Sequence, residues 1–512
     1  MKIYGKRQSH LFAEIIKKAL KIVFSFLVLG LQALLYYLMF IQAYAYFQVR
    51  LALNVLGVII VLALYNRDMN IGHKLSWIIV ILVLPMAGTL LYLLFGNGRN
   101  VPRRRAQKME ECFNYKRYLV SEKKVEIADD RGKMLAHLVQ NEGNMPVCEN
   151  TVTQYFSDIE KKHASLLQDI EKAEKYIFIE YFVVSEGYVL NTLLSALERK
   201  GNEGVKIKFI YDDIGSKKYL RKKTKKRIAS IPNLELCVFE PTGIVFNPRV
   251  NYRDHRKIVV IDGKVGYLGG DNLADEYVNR KIRFGHWRDN AIRLEGDAVY
   301  SLSVLFARMW FMSCGEKIEV EREEHGVKNG NGYVQPFGDG PTFTEHPGYD
   351  LFQALASSSQ KYLYISTPYF IIDSSFINAI NLASKSGVDV RILVPKIPDK
   401  KIIFAMTRAH YGSILKAGGK IYEYSPGFNH AKTVISDDKY AFIGTINCDY
   451  RSMLLHFECG ALLLLNDQIP KMKEDFLSAV SLSEEITYEK WRRRPLFTKI
   501  TEMLLSLISP ML

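Results

Sequence analysis

The chain has 512 residues, of which 48% are hydrophobic and 24% are charged. This composition excludes wholesale disorder and fibrous repeats, and the length predicts about three structural units. The net charge of +15 predicts an anionic partner, either a phosphate polymer or an anionic membrane surface. The six cysteines form no CxxC pair, which argues against a zinc ribbon or a disulfide scaffold and favours a reducing compartment.

The positive charge is concentrated in three short segments. Residues 1–21 and 99–108 each carry a net charge of +5, and residues 217–227 hold eight basic residues and no acidic one. These segments account for more than the whole net charge of the chain. Each of them could be a solvated face, but clusters of this kind also bind phosphate polymers or anionic leaflets.

Apolar stretches near the start of the chain favour the membrane over the phosphate polymer. Residues 22–65 carry one charge, Arg50, and residues 75–95 carry none. Because a spanning helix needs about 20 apolar residues, these stretches predict two to three membrane spans rather than buried core helices. A cleaved signal peptide is not expected, since its apolar core is shorter and ends at a small-residue cleavage site.

The basic segments on both sides of these spans predict a multi-pass protein of the cell membrane with its polar bulk in the cytoplasm. Two cytoplasmic ends need an even number of spans, whereas three apolar stretches give an odd number. Either one stretch is re-entrant, or residues 22–65 cross once as a long tilted segment.

After residue 100 the sequence alternates strand and helix patterns, and its two halves resemble each other. Four pairs of segments correspond in order: 175–182 with 361–370, 204–210 with 387–393, 255–262 with 430–437, and 269–272 with 444–447. A strand pattern, a helical pattern at residues 187–201 and a second strand pattern predict an α/β unit with a largely buried sheet in each half.

The predicted architecture is two α/β lobes, related by a pseudo-twofold axis, that form one catalytic unit behind N-terminal transmembrane helices. The predicted boundaries are 1–98 for the membrane region, 99–149 for a basic and polar connector, 150–312 for the first lobe, 313–349 for a linker rich in Gly, Glu and Pro, and 350–512 for the second lobe with a C-terminal amphipathic segment.

Each half carries the pattern His-x-Lys-x4-Asp. The two copies are His255, Lys257 and Asp262, and His430, Lys432 and Asp437. One chance match is expected in about one random chain in twenty-five at average residue frequencies. Two matches at equivalent points of a repeat are far rarer, and both copies are followed ten residues after the aspartate by an asparagine, Asn272 and Asn447.

The spacing of the motif indicates its chemistry. Histidine and lysine are two residues apart on a predicted strand, so their side chains project to one face. Pairing of the halves would join two imidazoles and two ammonium groups, whose natural ligand is a phosphoryl group. One neutral histidine would attack phosphorus, and the other would protonate the leaving oxygen and later accept a proton from an alcohol. The lysines, with Asn272 and Asn447, would hold the charge on the equatorial oxygens.

No metal ion or other cofactor is predicted. The lysines supply the electrostatic stabilisation that a metal would give, and no Asp, Glu or His cluster shows metal-ligand spacing in the sequence.

A histidine nucleophile needs a partner on its second ring nitrogen. Aligning residues 288–289 with residues 457–458 pairs Asp289 with Glu458, and these two are predicted to be the supporting carboxylates, one per half. An ordinary surface salt bridge is the alternative for Asp289. Eight other histidines are assigned to structural or surface positions, with His286 and His410 the two that are expected nearest the site: His10, His73, His163, His286, His325, His346, His410 and His456.

The paired HxKxxxxD motif resembles the phospholipase D superfamily. The segments HRKIVVIDGKVGYLGGDNLADEY, GHWRDNAIRLEG and FNHAKTVISDDKYAFIGTINCDYRSMLLHFE closely resemble bacterial cardiolipin synthases, and so does the apolar segment that contains Trp77, Pro85, Gly88, Tyr92 and Gly96. The resemblance covers nearly the whole chain from near residue 53 onwards. It implies two phospholipase-D-like lobes.

The resemblance also implies a reaction. Two phosphatidylglycerol molecules give cardiolipin and glycerol through a phosphatidyl-histidine, with His255 as the nucleophile, His430 as the acid and base, and a cytoplasmic catalytic region. Gly270 in the first half stands where the second half has Thr445 and many superfamily members have serine. A hydroxyl or a backbone amide can each bind a phosphoryl oxygen, so both positions are predicted phosphate contacts.

The predicted partners are anionic phospholipid substrates and the membrane bilayer, with no nucleic acid. The basic residues 217–227, with Tyr219, Leu220 and Ile228 interspersed, would press on an anionic leaflet. Residues 496–512 predict either an interfacial amphipathic helix or a helix packed on the catalytic core.

Three alternatives stay open at this point. With water or another alcohol as the acceptor, the same site would be a phospholipase D or a different phosphatidyltransferase, because pocket shape and water exclusion select the acceptor. A nucleic-acid phosphodiesterase would use the same chemistry, but the apolar stretches argue against it. A non-catalytic membrane scaffold is least favoured, since all six motif residues are present.

Overall fold

A computed structural model of the chain describes residues 37, 47–67, 69–96, 125–241, 251–323, 325–328, 330–343 and 345–511. The basic segments 1–21 and 99–108 lie outside the described residues, and so does the apolar stretch before residue 47 apart from Tyr37. The chain divides into two compact units, Met1–Asn97 and Gly98–Leu512.

The described residues of the first unit form α1 (Phe47–Asn66), α2 (Ile71–Val83), α3 (Pro85–Leu91) and a π-helical turn (Tyr92–Gly96). The Asn70 side chain caps α2 by accepting hydrogen bonds from two backbone amides of its first turn. Trp77 packs edge to face on Tyr92, with ring centroids 5.3 Å apart. Among the helices that the structure describes, none combines the length and the hydropathy that a membrane span needs.

Among the described residues of the second unit, the first helix is α4 (Asp130–Gly143), which the first lobe follows. The elements of that lobe are β1 (Thr151–Phe156), α5 (Ile159–Glu171), β2 (Tyr176–Tyr181), α6 (Tyr188–Asn202), β3 (Lys206–Asp212), α7 (Asp213–Ser216), α8 (Lys222–Ala229), β4 (Leu234–Phe239), β5 (Lys257–Ile261), β6 (Val265–Gly269), β7 (His286–Arg288), β8 (Ala291–Gly296) and α9 (Ala298–Cys314).

The second lobe follows the same plan. Its elements are β9 (Tyr333–Asp339), α10 (Pro347–Ser358), β10 (Tyr362–Ser366), β11 (Phe370–Ile371), α11 (Ser374–Lys385), β12 (Asp389–Pro395), α12 (Lys401–Lys416), β13 (Lys420–Tyr424), β14 (Gly427–Asn429), β15 (Thr433–Ser436), β16 (Tyr440–Gly444), β17 (Cys448–Asp449), α13 (Tyr450–Leu454), β18 (Glu458–Leu464), α14 (Ile469–Ser481), β19 (Ser483–Ile486), α15 (Tyr488–Arg492) and α16 (Leu496–Ile508), followed by a 3₁₀ turn at Ser509–Met511.

The strand orders of the two sheets show the internal repeat. The first sheet has the order β1-β8-β6-β5-β2-β3-β4, and the second has β9-β18-β16-β15-β10-β12-β13, with β19 added at its edge. In each sheet three strands are parallel, β2-β3-β4 in the first and β10-β12-β13 in the second. The remaining pairings within each sheet are antiparallel. Each lobe is therefore a copy of the same α/β unit, as the sequence repeat predicts.

Two described elements fall inside segments that the sequence assigned to connections. Strand β9 lies within residues 313–349, and it is the positional counterpart of β1 at the edge of the second sheet. Helix α4 lies within residues 99–149 and packs on β9 and α10. The glycine and proline content around YVQPFGD hid the β9 pattern, because these residues are usual in loops.

Helix α9 joins the cores of the two lobes. It contacts β2, β5 and β8 of the first sheet and β9 of the second. Apart from the half-buried Tyr300, its residues 298–310 are buried, as expected of a largely apolar helix. One hydrophobic cluster runs from Val260 and Leu268 through Phe306 to Phe337 and Phe442, so the two lobes share a core.

Cys237 in β4 and Cys314 at the end of α9 form a disulfide. The cysteine pattern did not reveal this pair, because the two residues are 77 positions apart and become neighbours only when α9 packs on β4. Cys148, Cys448 and Cys459 are free and buried.

The basic segment 217–227 does not present its apolar residues to solvent. Leu220 and Ile228 are buried in the core of the first lobe, so the expectation that they press on a leaflet is wrong. Several of the basic side chains remain on the surface, and Arg227 pairs with Glu198 at 2.8 Å.

Helix α16 packs against α12, and its buried Glu502 forms an ion pair with Arg494 at 2.7 Å. Its other side leaves large apolar side chains in solvent, with Leu496 and Phe497 exposed by 72% and 81%. The helix therefore packs on the catalytic core and still presents an apolar face.

Candidate active site

The two histidine motifs meet where the lobes join. His255 lies two residues before β5, and His430 lies between β14 and β15. Strand β14 pairs in parallel with β7 of the other lobe, and Asp254 forms a parallel bridge with Phe457. The backbone amide of His255 donates to Phe457 O at 2.9 Å, and that of His430 donates to Arg288 O at 2.7 Å. Each histidine is thus held by backbone of the opposite lobe.

The supporting carboxylates are exchanged between the lobes. His255 Nδ1 lies 3.0 Å from both carboxylate oxygens of Glu458, and His430 Nδ1 lies 2.5 Å from Asp289 Oδ2. Glu458 and Asp289 are almost fully buried. The sequence predicted these two carboxylates as one per half, and the structure pairs each with the histidine of the other half. A carboxylate on Nδ1 leaves Nε2 of each ring for the substrate.

Burial keeps both imidazoles neutral. The pKa of His255 is lowered well below its usual value, first by burial and then by the charge of Lys257. The pKa of His430 is lowered to about 4 by burial and by Lys432, against the opposing effect of Asp289. The lysine of each motif also lowers the pKa of the histidine in the other motif, so the four groups act at one site.

The lysines are buried beside their own histidines. Lys257 Nζ donates to the carbonyl oxygen of His255, and Lys432 Nζ donates to that of His430. Burial lowers the pKa of Lys257 to about 8 and that of Lys432 to about 7. Two buried ammonium groups are costly to keep charged, so they favour an anionic ligand between them.

The motif aspartates do not join the histidines, and their carboxylates accept hydrogen bonds from backbone amides. Asp262 accepts hydrogen bonds from the amides of Glu174, Lys175 and Tyr176. Asp437 accepts from the amides of Gln360, Lys361 and Tyr362, and also pairs with Arg131. Both aspartates have positive φ, 52° and 57°, a conformation that aspartate tolerates better than most residues. The catalytic assignment of Asp262 and Asp437 is therefore not supported by their position, since they fix the start of strands β2 and β10.

Gly270 and Thr445 both help to position the carboxylates of Asp289 and Glu458. A Cβ on Gly270 would lie 2.2 Å from Asp289 Oδ1, so glycine makes room for that side chain. The Thr445 hydroxyl donates to Glu458 Oε2 and accepts from the Cys459 amide at 3.0 Å. The hydroxyl predicted for a phosphoryl oxygen is thus engaged in orienting Glu458.

Asn272 and Asn447 have equivalent environments. The Asn272 amide donates to Tyr277 Oη at 2.7 Å, and the Asn447 amide donates to Ser452 Oγ at 3.0 Å. Both partners follow their asparagine by five residues. Each amide group has two N–H donors, and the contacts among the described residues account for one of them, which leaves a second donor for another acceptor.

Aromatic side chains and a third histidine complete the walls. Phe182 lies edge to face on His255, and Tyr277 and Trp287 flank His430. The sequence assigned His456 to a structural or surface position, but its buried ring lies 5.5 Å from that of His255 between centroids. The sequence signal for His456 was its place two residues before Glu458. Trp287 stands two residues before Asp289, so His456 and Trp287 occupy equivalent positions in the repeat.

The lobe contact also creates a group of metal-binding side chains that the sequence did not show. His255, His456 and Glu458 each offer one ligand atom, and these atoms lie within 4.8 Å of one another. Spacing along the sequence could not show this group, because His255 is 203 residues away from Glu458 in the chain.

The chain is similar to known proteins over most of its length. A family model described as "Cardiolipin synthase, PLD-like domain" matches residues 166–310 and 351–479, and one described as "Phospholipase D-nuclease N-terminal" matches residues 52–97. A cardiolipin synthase of Geobacillus kaustophilus is 34% identical over 476 residues, which cover 91% of this chain and 94% of that protein. An uncharacterized protein of Streptococcus mutans is 37% identical and covers 88% of this chain and 99% of its own.

Among solved structures, a phosphatidylserine synthase of Haemophilus influenzae has a similar fold. It superposes with a TM-score of 0.57 at 14% sequence identity, over 74% of this chain and 100% of that one. At this identity the similarity shows the fold of the two lobes alone.

Proposed function

Because the chain belongs to the family of cardiolipin synthases with phospholipase-D-like domains, we propose that it transfers a phosphatidyl group from one phosphatidylglycerol to another. The products are cardiolipin and glycerol. The observation that carries the proposal is the pair of buried imidazoles, each supported on Nδ1 by a carboxylate of the opposite lobe. This arrangement provides two neutral rings at one site, one to attack and one to move protons.

In the first step, Nε2 of His255 attacks phosphorus and the bond from phosphorus to the glycerol oxygen breaks. His430, protonated at Nε2 in the bound complex, gives that proton to the leaving oxygen, and glycerol departs. The free site keeps His430 neutral, with a pKa of about 4. The negative charge of the bound phosphodiester raises that pKa and favours the protonated form.

In the second step, the terminal hydroxyl of a second phosphatidylglycerol attacks phosphorus. His430 takes the hydroxyl proton, the bond between phosphorus and His255 breaks, and cardiolipin forms. Both histidines return to their starting states. Lys257 and Lys432 stabilise the negative charge of the equatorial oxygens in both steps, and the second N–H donors of Asn272 and Asn447 can add to this stabilisation.

The roles of the two histidines can be separated with a substrate that carries a good leaving group, such as phosphatidyl-p-nitrophenol. Nitrophenolate leaves without a proton, so the first step no longer needs the acid. We expect His430→Ala to release a burst of nitrophenolate near one equivalent per enzyme, whereas His255→Ala releases none. A burst from His255→Ala alone would exchange the two roles.

A lipid surface as the partner is supported by the exposed apolar face of α16 and by the basic side chains of residues 217–227. An enzyme whose two substrates are lipids gains from staying at the bilayer, because extraction of each lipid costs free energy in proportion to its chain length. We propose a location at the cell membrane, with residues 1–98 as the membrane region and the lobes on the cytoplasmic side. The apolar stretches 22–65 and 75–95 would supply the multi-pass attachment.

The testing experiment uses the purified full chain in mixed micelles with labelled phosphatidylglycerol. We expect cardiolipin and glycerol in equal amounts. His255→Ala should form neither, while His137→Ala, a change at an exposed histidine of α4, should keep the wild-type rate. Phosphatidic acid with glycerol would instead show hydrolysis at the same site, and the absence of any lipid product would contradict the proposal.

A further inference from the structure

His456 is a buried polar group beside His255 that the proposed reaction leaves unused. It is 9% exposed, and neither of its ring nitrogens has a hydrogen-bond partner among the described residues. Its Nδ1 lies 3.8 Å from Glu458 Oε1. Because an unpartnered polar group is costly to bury, its position indicates a ligand that approaches from the side of Glu458.

We propose that His456, His255 and Glu458 form an inhibitory site for a divalent zinc ion. Their ligand atoms lie within 4.8 Å of one another, and the two contacts of Glu458 with imidazole nitrogens, at 3.0 Å and 3.8 Å, are close to the separation of neighbouring ligands around zinc. Two imidazoles and one carboxylate form a known zinc ligand set that leaves a fourth position open.

The site would block catalysis through the tautomer of His255. Its Nδ1 faces the Glu458 carboxylate, so an ion between these two residues binds the lone pair of Nδ1. A neutral imidazole carries one proton, and a metal on Nδ1 places that proton on Nε2. The Nε2 atom then has no lone pair with which to attack phosphorus, and no proton is gained or lost by the chain. Removal of the ion restores the starting tautomer.

The other half of the molecule lacks the third ligand. His430 and Asp289 repeat the pair of His255 and Glu458, but the position of His456 is taken by Trp287, whose indole cannot bind zinc. The pseudo-twofold symmetry is therefore broken at this residue, and in the part of the chain that the structure describes the three-ligand group lies in the His255 half. The second half serves as an internal control.

The ion site can be tested by direct binding, independently of any lipid activity. Cobalt(II) added to the full chain in detergent reports four-coordinate sites by its visible absorption, and zinc competes for the same site. We expect one equivalent per chain in the wild type and in His430→Ala, and none in His255→Ala or His456→Asn. Equal binding by His456→Asn, or binding that is lost in His430→Ala and kept in His255→Ala, would overturn the proposal.

Inhibition supplies the second readout. With free zinc set by a chelator buffer, we expect zinc to inhibit the wild type reversibly. His456→Asn, which keeps a polar side chain of similar size, should need at least about tenfold more zinc, since even indirect support of a metal ligand is worth 10- to 100-fold in affinity. The lipid and detergent are identical in both assays, so zinc binding to the substrate cancels. Equal sensitivity of the two enzymes would overturn the proposal, even if both make cardiolipin.

Discussion

Asp289 of the first lobe supports His430 of the second, with 2.5 Å between Oδ2 and Nδ1. The reciprocal contact joins Glu458 of the second lobe to His255 of the first. Neither lobe contains both members of either of these two pairs, so the active site exists only when both lobes are folded and docked. The core that the lobes share through α9 holds them together and so supports both contacts.

Replacement of either carboxylate should impair turnover without unfolding the chain. In Asp289→Asn and Glu458→Gln, the side chain keeps its size but can no longer accept and hold the Nδ1 proton in the same way. We expect turnover to fall by about 10- to 100-fold or more, with a limit near 10⁴-fold as for other histidine–carboxylate pairs. Rates of labelled cardiolipin formation give the effect, and far-UV circular dichroism checks the fold. Full activity in either variant would contradict the assigned role.

Replacement of Gly270 by alanine tests whether the Asp289 side chain needs the space that glycine leaves. The added methyl group would lie 2.2 Å from Asp289 Oδ1 and would push the carboxylate away from His430. We expect a loss of turnover comparable to that of Asp289→Asn. Thr445→Ser, which keeps the hydroxyl that Glu458 accepts from, is the matched change in the other half and should retain most of the activity. If Gly270→Ala is as active as the wild type, the packing argument fails.

Asp437 should prove a structural residue. It follows Lys432 by five positions, which is about 16 Å along a strand, and it accepts three backbone hydrogen bonds. We expect Asp437→Asn to lower the free energy of unfolding by about 1.5–3 kcal/mol, the value of a hydrogen bond to a charged group. Turnover per folded molecule should stay near the wild-type value. Asp130→Asn, a change at an exposed aspartate of α4, is the control.

The pKa of Asp437 predicts how its contribution to the free energy of unfolding changes with pH. Hydrogen bonds from backbone amides lower it in spite of burial, so the folded state favours the charged form. The stabilisation is present above the pKa of the unfolded chain and is lost as pH falls through the folded value. Denaturation curves of the wild type and of Asp437→Asn should therefore converge in acid. A loss of turnover at unchanged stability would return Asp437 to the catalytic group.

At alkaline pH, the change of kcat/KM with pH should follow the titration of the two motif lysines. Burial lowers the pKa of Lys432 to about 7 and that of Lys257 to about 8, so the free enzyme loses positive charge as pH rises through this range. Since kcat/KM reports groups of the free enzyme, it should fall above pH 7–8. The bound phosphodiester raises both pKa values, so kcat should fall at higher pH.

The behaviour of kcat/KM below neutral pH tests the protonation state of His255. The pKa of His255 lies well below its usual value because of burial, so the nucleophile stays neutral down to moderately acid pH. We expect no loss of kcat/KM between neutral pH and the ordinary histidine pKa near 6.5. The substrate phosphodiester does not titrate in this range, so the profile reports the enzyme. A flat alkaline limb, or an acid limb centred at the ordinary histidine pKa, would contradict these assignments.

Local sequence determined the repeating parts of this protein. Periodicity of apolar residues gave the strands β2, β3 and β12 and helix α6 to within two residues, and the start of β10 to within one, because burial of one face is encoded in neighbouring positions. The repeated motif identified His255, Lys257, His430 and Lys432, and the alignment of the halves paired Asp289 with Glu458. These inferences need only short-range patterns and the comparison of the chain with itself.

Tertiary structure decided which carboxylate supports which histidine. The partners His255 and Glu458 are 203 residues apart, and His430 and Asp289 are 141 apart, so no local pattern records that the contacts cross between lobes. The same docking places His456 beside His255. Folding within a single lobe joins Cys237 to Cys314 and turns each motif aspartate toward backbone amides of its own lobe. Sequence fixes which side chains are available, whereas their distances follow from how two separately encoded lobes bury a common core.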